Sequence, residues 1–94
     1  MIQIDGDRIK RGGQIVGYID GYHIKDRDYK NLGYYEGNYI YDETGKKLSY
    51  IESDWLYSYA SRSSYTKLED ITKDFPGSVL PEIVKCAIFQ LLGA

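Results

Sequence analysis

The sequence predicts a mainly β protein of about four β-hairpin repeats of ~16 residues, arranged radially or as a closed β structure, followed by a C-terminal α-helix. Three observations lead there. The chain from Ile4 to Tyr59 repeats itself, each copy carries a short turn signal between β-prone runs, and the last stretch changes to helical apolar spacing.

Written in register, the copies are IDGDRIKRGGQIVGY, IDGYHIKDRDYKNLGY, YEGNYIYDETGKKLSY and IESDWLYSY. Gly17, Gly33 and Ser49 stand sixteen residues apart, as do Ile24, Ile40 and Leu56, while the first copy is one residue short. The turn pairs are Asp5-Gly6, Asp20-Gly21, Glu36-Gly37 and Ser53-Asp54. A two-residue type I′ turn needs φ > 0 at both positions, which Asp-Gly supplies. Ser53-Asp54 makes the weakest turn of the four.

With Asp20 and Gly21 as the loop, counting outward pairs Tyr18 with His23 and Gly17 with Ile24. The same count gives Tyr34 with Tyr39, Gly33 with Ile40, Tyr50 with Trp55 and Ser49 with Leu56. Because side chains alternate, small–aliphatic pairs share one face and aromatic pairs the other. Ile9, Ile24, Ile40 and Leu56 are therefore expected to fill a narrow apolar centre. The second turns are looser: Arg11-Gly12-Gly13, Asp26 to Asn31, and Asp42-Glu43-Thr44-Gly45. Tyr29 stands where Gly45 would be expected, which predicts a distorted turn in the second copy.

Copies of this shape, an apolar–acidic–Gly turn, an Ile-x-Asp strand, x-x-Gly and an aliphatic–Gly–aromatic strand, resemble the small bacterial β-flower repeat proteins over residues 1–59. The resemblance implies radial hairpins and brings no established catalytic residue. The first copy departs from it in lacking the aromatic pair, the last in lacking glycine in its turn.

The small polar run Ala60 to Ser64 divides a hairpin domain at 1–59 from a tail at 60–94, which belongs to the same compact unit or forms its oligomer interface. Leu68 and Ile71 allow a turn or two of helix, and Phe75-Pro76-Gly77 signals a turn. A helix over 78–92 follows, with Ser78 as its cap and Pro81 in its first turn. Leu80, Ile83, Val84, Ala87, Ile88, Leu91 and Leu92 recur at spacings of three and four, and Cys86 and Phe89 widen the apolar surface. A helix this short does not span a bilayer.

A net charge of −2 argues against nucleic-acid binding, and a single cysteine fits a reducing, cytoplasmic setting. His23 and Cys86 form no zinc-ligand cluster, and the carboxylates Asp26, Asp28, Asp42 and Glu43 sit where turn chemistry explains them. No catalytic, metal or cofactor-binding residue is read, so the expectation is a non-enzymatic interaction module. Its C-terminal helix, through Leu80, Ile83, Val84, Ala87, Ile88, Leu91 and Leu92, is expected to join a homo-oligomer or a host protein assembly. The alternative is stacking of a carbohydrate or other flat ligand on Tyr18, His23, Tyr34, Tyr39, Tyr50 and Trp55.

Overall fold

The computed structural model describes residues 1–60 and 64–93, and within them nine antiparallel strands form one sheet in chain order. These are β1 (Ile2–Asp5), β2 (Arg8–Arg11), β3 (Gln14–Asp20), β4 (His23–Asp26), β5 (Asn31–Glu36), β6 (Tyr39–Asp42), β7 (Lys47–Glu52), β8 (Trp55–Ser58) and β9 (Tyr65–Lys67). Two helices follow, α1 (Leu68–Thr72) and α2 (Glu82–Leu92). Of the boundary read at Ala60 to Ser64, residues 61–63 lie outside the described residues. β9 went unread because three residues are too few to show alternation.

The tight turns differ from the expected type in an instructive way. Asp20 pairs with His23 and Glu36 with Tyr39, so the loops are Gly21-Tyr22 and Gly37-Asn38 rather than Asp-Gly and Glu-Gly. Gly6, Gly21, Gly37 and Ser53 have φ of 63°, 60°, 60° and 56°, while the residue after each has none in that region. Positive φ at the first loop position alone is the type II′ pattern. The register moves by two residues from the expected one, so every side chain keeps its face but changes its partner. Ser53 is the one tight-turn residue that takes this conformation without being glycine. Ser53→Gly is expected to raise stability by about 1 kcal/mol, read as a higher urea midpoint with an unchanged slope.

The small–aliphatic pairs exist, but across the looser turns: Ile9 with Gly17, Ile24 with Gly33 and Ile40 with Ser49. Beside each pair the register slips, at Ile9/Lys10, Ile24/Lys25 and Ile40/Tyr41. A bulge bends its strand and adds twist, so each of these three slips is a local bend beside the aliphatic row. The second looser turn is not distorted. Asp26 Oδ1 accepts from the backbone N–H groups of Asp28 and Lys30, both at 2.9 Å, as Asp42 Oδ1 accepts from Thr44 and Lys46 at 2.8 and 3.0 Å. Tyr29 simply adopts the left-handed backbone, φ 66°, that Gly45 adopts at 90°.

The sheet is open and does not close on itself. α1 instead carries the chain from the β9 edge back to the β1 edge. The Ile2 N–H donates to the Asp74 carbonyl at 2.6 Å, and the Arg11 guanidinium and the terminal ammonium reach the Asp74 carboxylate at 3.0 and 3.5 Å. A helix in the edge-closing role covers backbone groups that a closed ring would have paired.

α2 lies over the aliphatic face. It starts at Glu82 after Pro81, four residues later than the cap read at Ser78, whose hydroxyl instead accepts from the Leu80 N–H at 3.2 Å. Gly93, at φ 69°, ends it in the left-handed conformation common after helix C-termini. Ile2, Ile9, Ile24, Ile40, Ile71, Phe75, Val84, Ala87 and Ile88 form one core with Leu56, Leu68 and Cys86. Sheet and tail are thus halves of a single apolar core. Each fully buried Ile or Leu contributes roughly 1.5–3 kcal/mol, so each half stabilises the other.

Candidate functional site: the tyrosine face

With α2 on one face of the sheet, alternation sends the remaining side chains to the other. Each repeat contributes there from equivalent places. The first strand of each hairpin supplies Gln3, Tyr18, Tyr34 and Tyr50, and the second supplies Arg8, His23, Tyr39 and Trp55, then Lys10, Lys25, Tyr41 and Tyr57. At these three positions the face is polar in the first repeat, mixed in the second, and aromatic in the third and fourth.

The rings touch in an unbroken series. His23 lies 5.5 Å from Tyr34 between ring centroids, and Tyr34 stacks on Tyr41 at 4.7 Å with planes 9° apart. Tyr41 leads to Tyr39 at 6.5 Å, and Tyr39 to Tyr50 at 6.2 Å. Tyr50 stacks on Tyr57 at 5.3 Å and 20°, and Tyr59 flanks it at 5.1 Å. Tyr57 meets Tyr65 at 6.0 Å, and Tyr65 meets Trp55 edge-on at 5.0 Å. The register explains the stacked pairs: Tyr34 faces Tyr41 and Tyr50 faces Tyr57 directly across β5/β6 and β7/β8.

The tight-turn partners expected from sequence are corrected here. Tyr18 faces Lys25 rather than His23, Tyr34 faces Tyr41 rather than Tyr39, and Trp55 faces Glu52 rather than Tyr50. His23 with Tyr34 and Tyr39 with Tyr50 do face each other, across the looser turns. The structure thus gathers His23, Tyr34, Tyr39, Tyr50 and Trp55 into one series. Tyr18 stands apart from it, packed on Tyr29 at 5.2 Å. Tyr41, Tyr57, Tyr59 and Tyr65 belong to the series and were not read from sequence. The sixteen-residue spacing of Lys25, Tyr41 and Tyr57 is the signal for two of them.

Charge on this face is used locally. Lys25 Nζ bonds Asp20 at 2.9 Å and sits 4.0 Å from the Tyr29 ring centre. The Lys25 hydrogen bond holds the Asp20 carboxyl below the usual range and raises the Lys25 ammonium in return. Lys10 reaches Asp5 at 3.2 Å in the equivalent place of the first repeat, and Lys47 lies 4.4 Å from the Tyr39 ring centre. At the looser turn of the third repeat, the Thr44 hydroxyl and backbone N–H groups hold the Asp42 carboxyl below its ordinary value.

The residues expected at an oligomer interface pack to different depths against the chain's own core. Val84, Ala87 and Ile88 are buried in the chain's own core, and Leu80, Ile83, Leu91 and Leu92 are half-buried against it. The sheet offered uncovered aliphatic surface of its own, and the helix covers it. Burial also pushes the Cys86 thiol up to about 12, with the Glu82 carboxylate adding to the effect. Native protein is expected to resist alkylation by iodoacetamide at pH 8, and urea-unfolded protein to react at the rate of a free thiol.

Among the described residues, no three His, Cys, Asp or Glu side chains converge to hold a metal ion, and no helix is long and apolar enough to cross a membrane. No family model, curated protein or solved structure matches the chain.

Proposed function

We propose that the chain is a non-enzymatic binding module whose tyrosine face takes a carbohydrate by ring stacking. In this reading the hairpins fan around Ile9, Ile24, Ile40 and Leu56, and the fan serves to spread aromatic side chains on its outer surface. The observation that carries it is the unbroken series of rings from His23 to Trp55, on the side of the sheet that α2 leaves open.

A sugar ring presents C–H groups on its flat face and hydroxyls at its rim. A tyrosine offers the matching pair, an apolar ring and a hydroxyl that stays wet. Successive hairpins repeat every two strands, so equivalent rings recur at roughly 10 Å along the sheet and suit a chain of sugars better than a single one. Nucleic acid is the poorer fit. The net charge is −2, and both lysines that reach tyrosine rings on this face are within the protein's own contacts.

Trp55 ends the series and reports on it. Titration with neutral oligosaccharides of four to six sugars is expected to shift or quench its fluorescence saturably. Tyr50→Ala and Tyr57→Ala should each weaken binding roughly three- to tenfold while leaving the thermal transition cooperative. An unchanged Trp55 signal with β-linked and α-linked glucans, chitin and xylan fragments at millimolar concentration defeats the proposal.

A further inference from the structure

We infer a second binding site, for a small quaternary ammonium group, in the cleft at the turn end of the second and third hairpins. It goes beyond the carbohydrate reading and does not depend on it. The cleft has a volume of about 520 Å³ and is lined by Tyr22, His23, Tyr34, Tyr35, Glu36 and Gly37. That size suits a small molecule. Tyr22 meets Tyr35 edge-on at 5.6 Å, and this pair lines the cleft together with Glu36.

The repeat itself argues for a cation. The residue ending the first strand of each hairpin is acidic: Asp5, Asp20, Glu36 and Glu52. In the first two repeats that carboxylate is met by a lysine from the neighbouring strand, Lys10 and Lys25. In the third, the position equivalent to Lys25 is Tyr41, and the Glu36 carboxylate makes no salt bridge among the described residues. An internal ammonium has been exchanged for an aromatic ring. The same face holds ammonium groups against tyrosine elsewhere, at Tyr29 and Tyr39, so the chemistry is already in use within the fold. Among the described residues, no lysine or arginine lines the cleft to compete.

Rings with a single carboxylate discriminate by charge more than by shape. A quaternary ammonium is weakly hydrated, so it gives up little on leaving water and gains from each ring face. Primary ammonium is more strongly hydrated and has less to gain.

The experiment is a pair of calorimetric titrations at pH 8, one with choline and one with its neutral isostere 3,3-dimethylbutan-1-ol. Choline is expected to bind at least tenfold more tightly than the isostere. Tyr22→Ala and Glu36→Gln are each expected to weaken choline at least threefold, and neither should alter the unfolding transition, since Tyr22 is 69% exposed and Glu36 lies at the strand end. Tyr57→Ala, remote from the cleft, should leave choline binding unchanged, which separates this site from the carbohydrate face. Equal affinity for the isostere, choline binding insensitive to Tyr22→Ala and Glu36→Gln, or no heat with choline at 20 mM (~20 mM covers the weakest sites of this kind) overturns the inference.

Discussion

Ile88→Asp is expected to abolish folding, leaving no cooperative thermal transition by circular dichroism at any accessible temperature. Ile88 is fully buried and belongs to the core that joins the sheet to α2. An aspartate there either buries an unpaired charge or must take up a proton, and it also removes an aliphatic side chain. Together these cost more than about 5 kcal/mol, against a total stability of roughly 5–14 kcal/mol for a chain of this length. A chain ending at Ser64 should fare no better, because it uncovers Ile9, Ile24 and Ile40 at once. Were α2 instead an interface between chains, Ile88→Asp would yield a folded monomer. Gel filtration with circular dichroism on the same sample distinguishes the two.

Gly33→Ala is expected to lower stability by about 2–4 kcal/mol, a loss measurable as a shift in urea midpoint. A Cβ at Gly33 would run into the backbone carbonyl of Tyr41 and come within 2.9 Å of a Leu91 methyl. The side chain could rotate away, but the carbonyl belongs to the sheet ladder and cannot. The backbone adds a second penalty, since Gly33 lies at φ 156°, at the edge of what side chains tolerate. Gly17 is blocked in the same manner, by the Lys25 carbonyl at 2.5 Å and by Leu92 at 2.9 Å. At these two glycines the Leu92 and Leu91 side chains of α2 come down onto the sheet backbone. At the third equivalent position Ser49 is fully buried, and its hydroxyl finds no partner among the described residues.

The repeat made most of the sheet legible. Sixteen-residue spacing of Gly17, Gly33 and Ser49 places a small residue over an aliphatic one in each repeat, and the structure has such pairs with different partners: Ile9, Ile24 and Ile40 in place of Ile24, Ile40 and Leu56. What sequence reading lacked was the neighbour across which they pair. Asp20-Gly21 suits a type I′ loop as well as Gly21-Tyr22 suits type II′, and the two registers differ by two residues, which leaves the apolar pattern identical. Periodicity alone therefore cannot choose between them. The same ambiguity left the partners of Tyr41 and Tyr57 open, although their face follows from either register. The destination of the helix was illegible for another reason. Apolar spacing in Leu80 to Leu92 says that a face is buried, not what buries it, and the register slips beside Ile9, Ile24 and Ile40 are ones no residue type announces. Tyr29 shows the opposite case: a residue unsuited to its backbone holds a regular turn because its ring packs on Tyr18 and receives Lys25.

The division of the molecule into a face closed by α2 and a face open for binding is tested most directly by nuclear magnetic resonance. Protein labelled at tyrosine rings and at Ile and Leu methyls would be titrated with a linear neutral oligosaccharide at fixed protein concentration, then diluted. Shifts are predicted at Tyr34, Tyr41, Tyr50 and Tyr57, with the Ile88, Leu91 and Leu92 methyls unmoved throughout. Methyl signals of α2 that move on dilution, while the rings stay still under ligand, would contradict it and return the helix to the role of an interface.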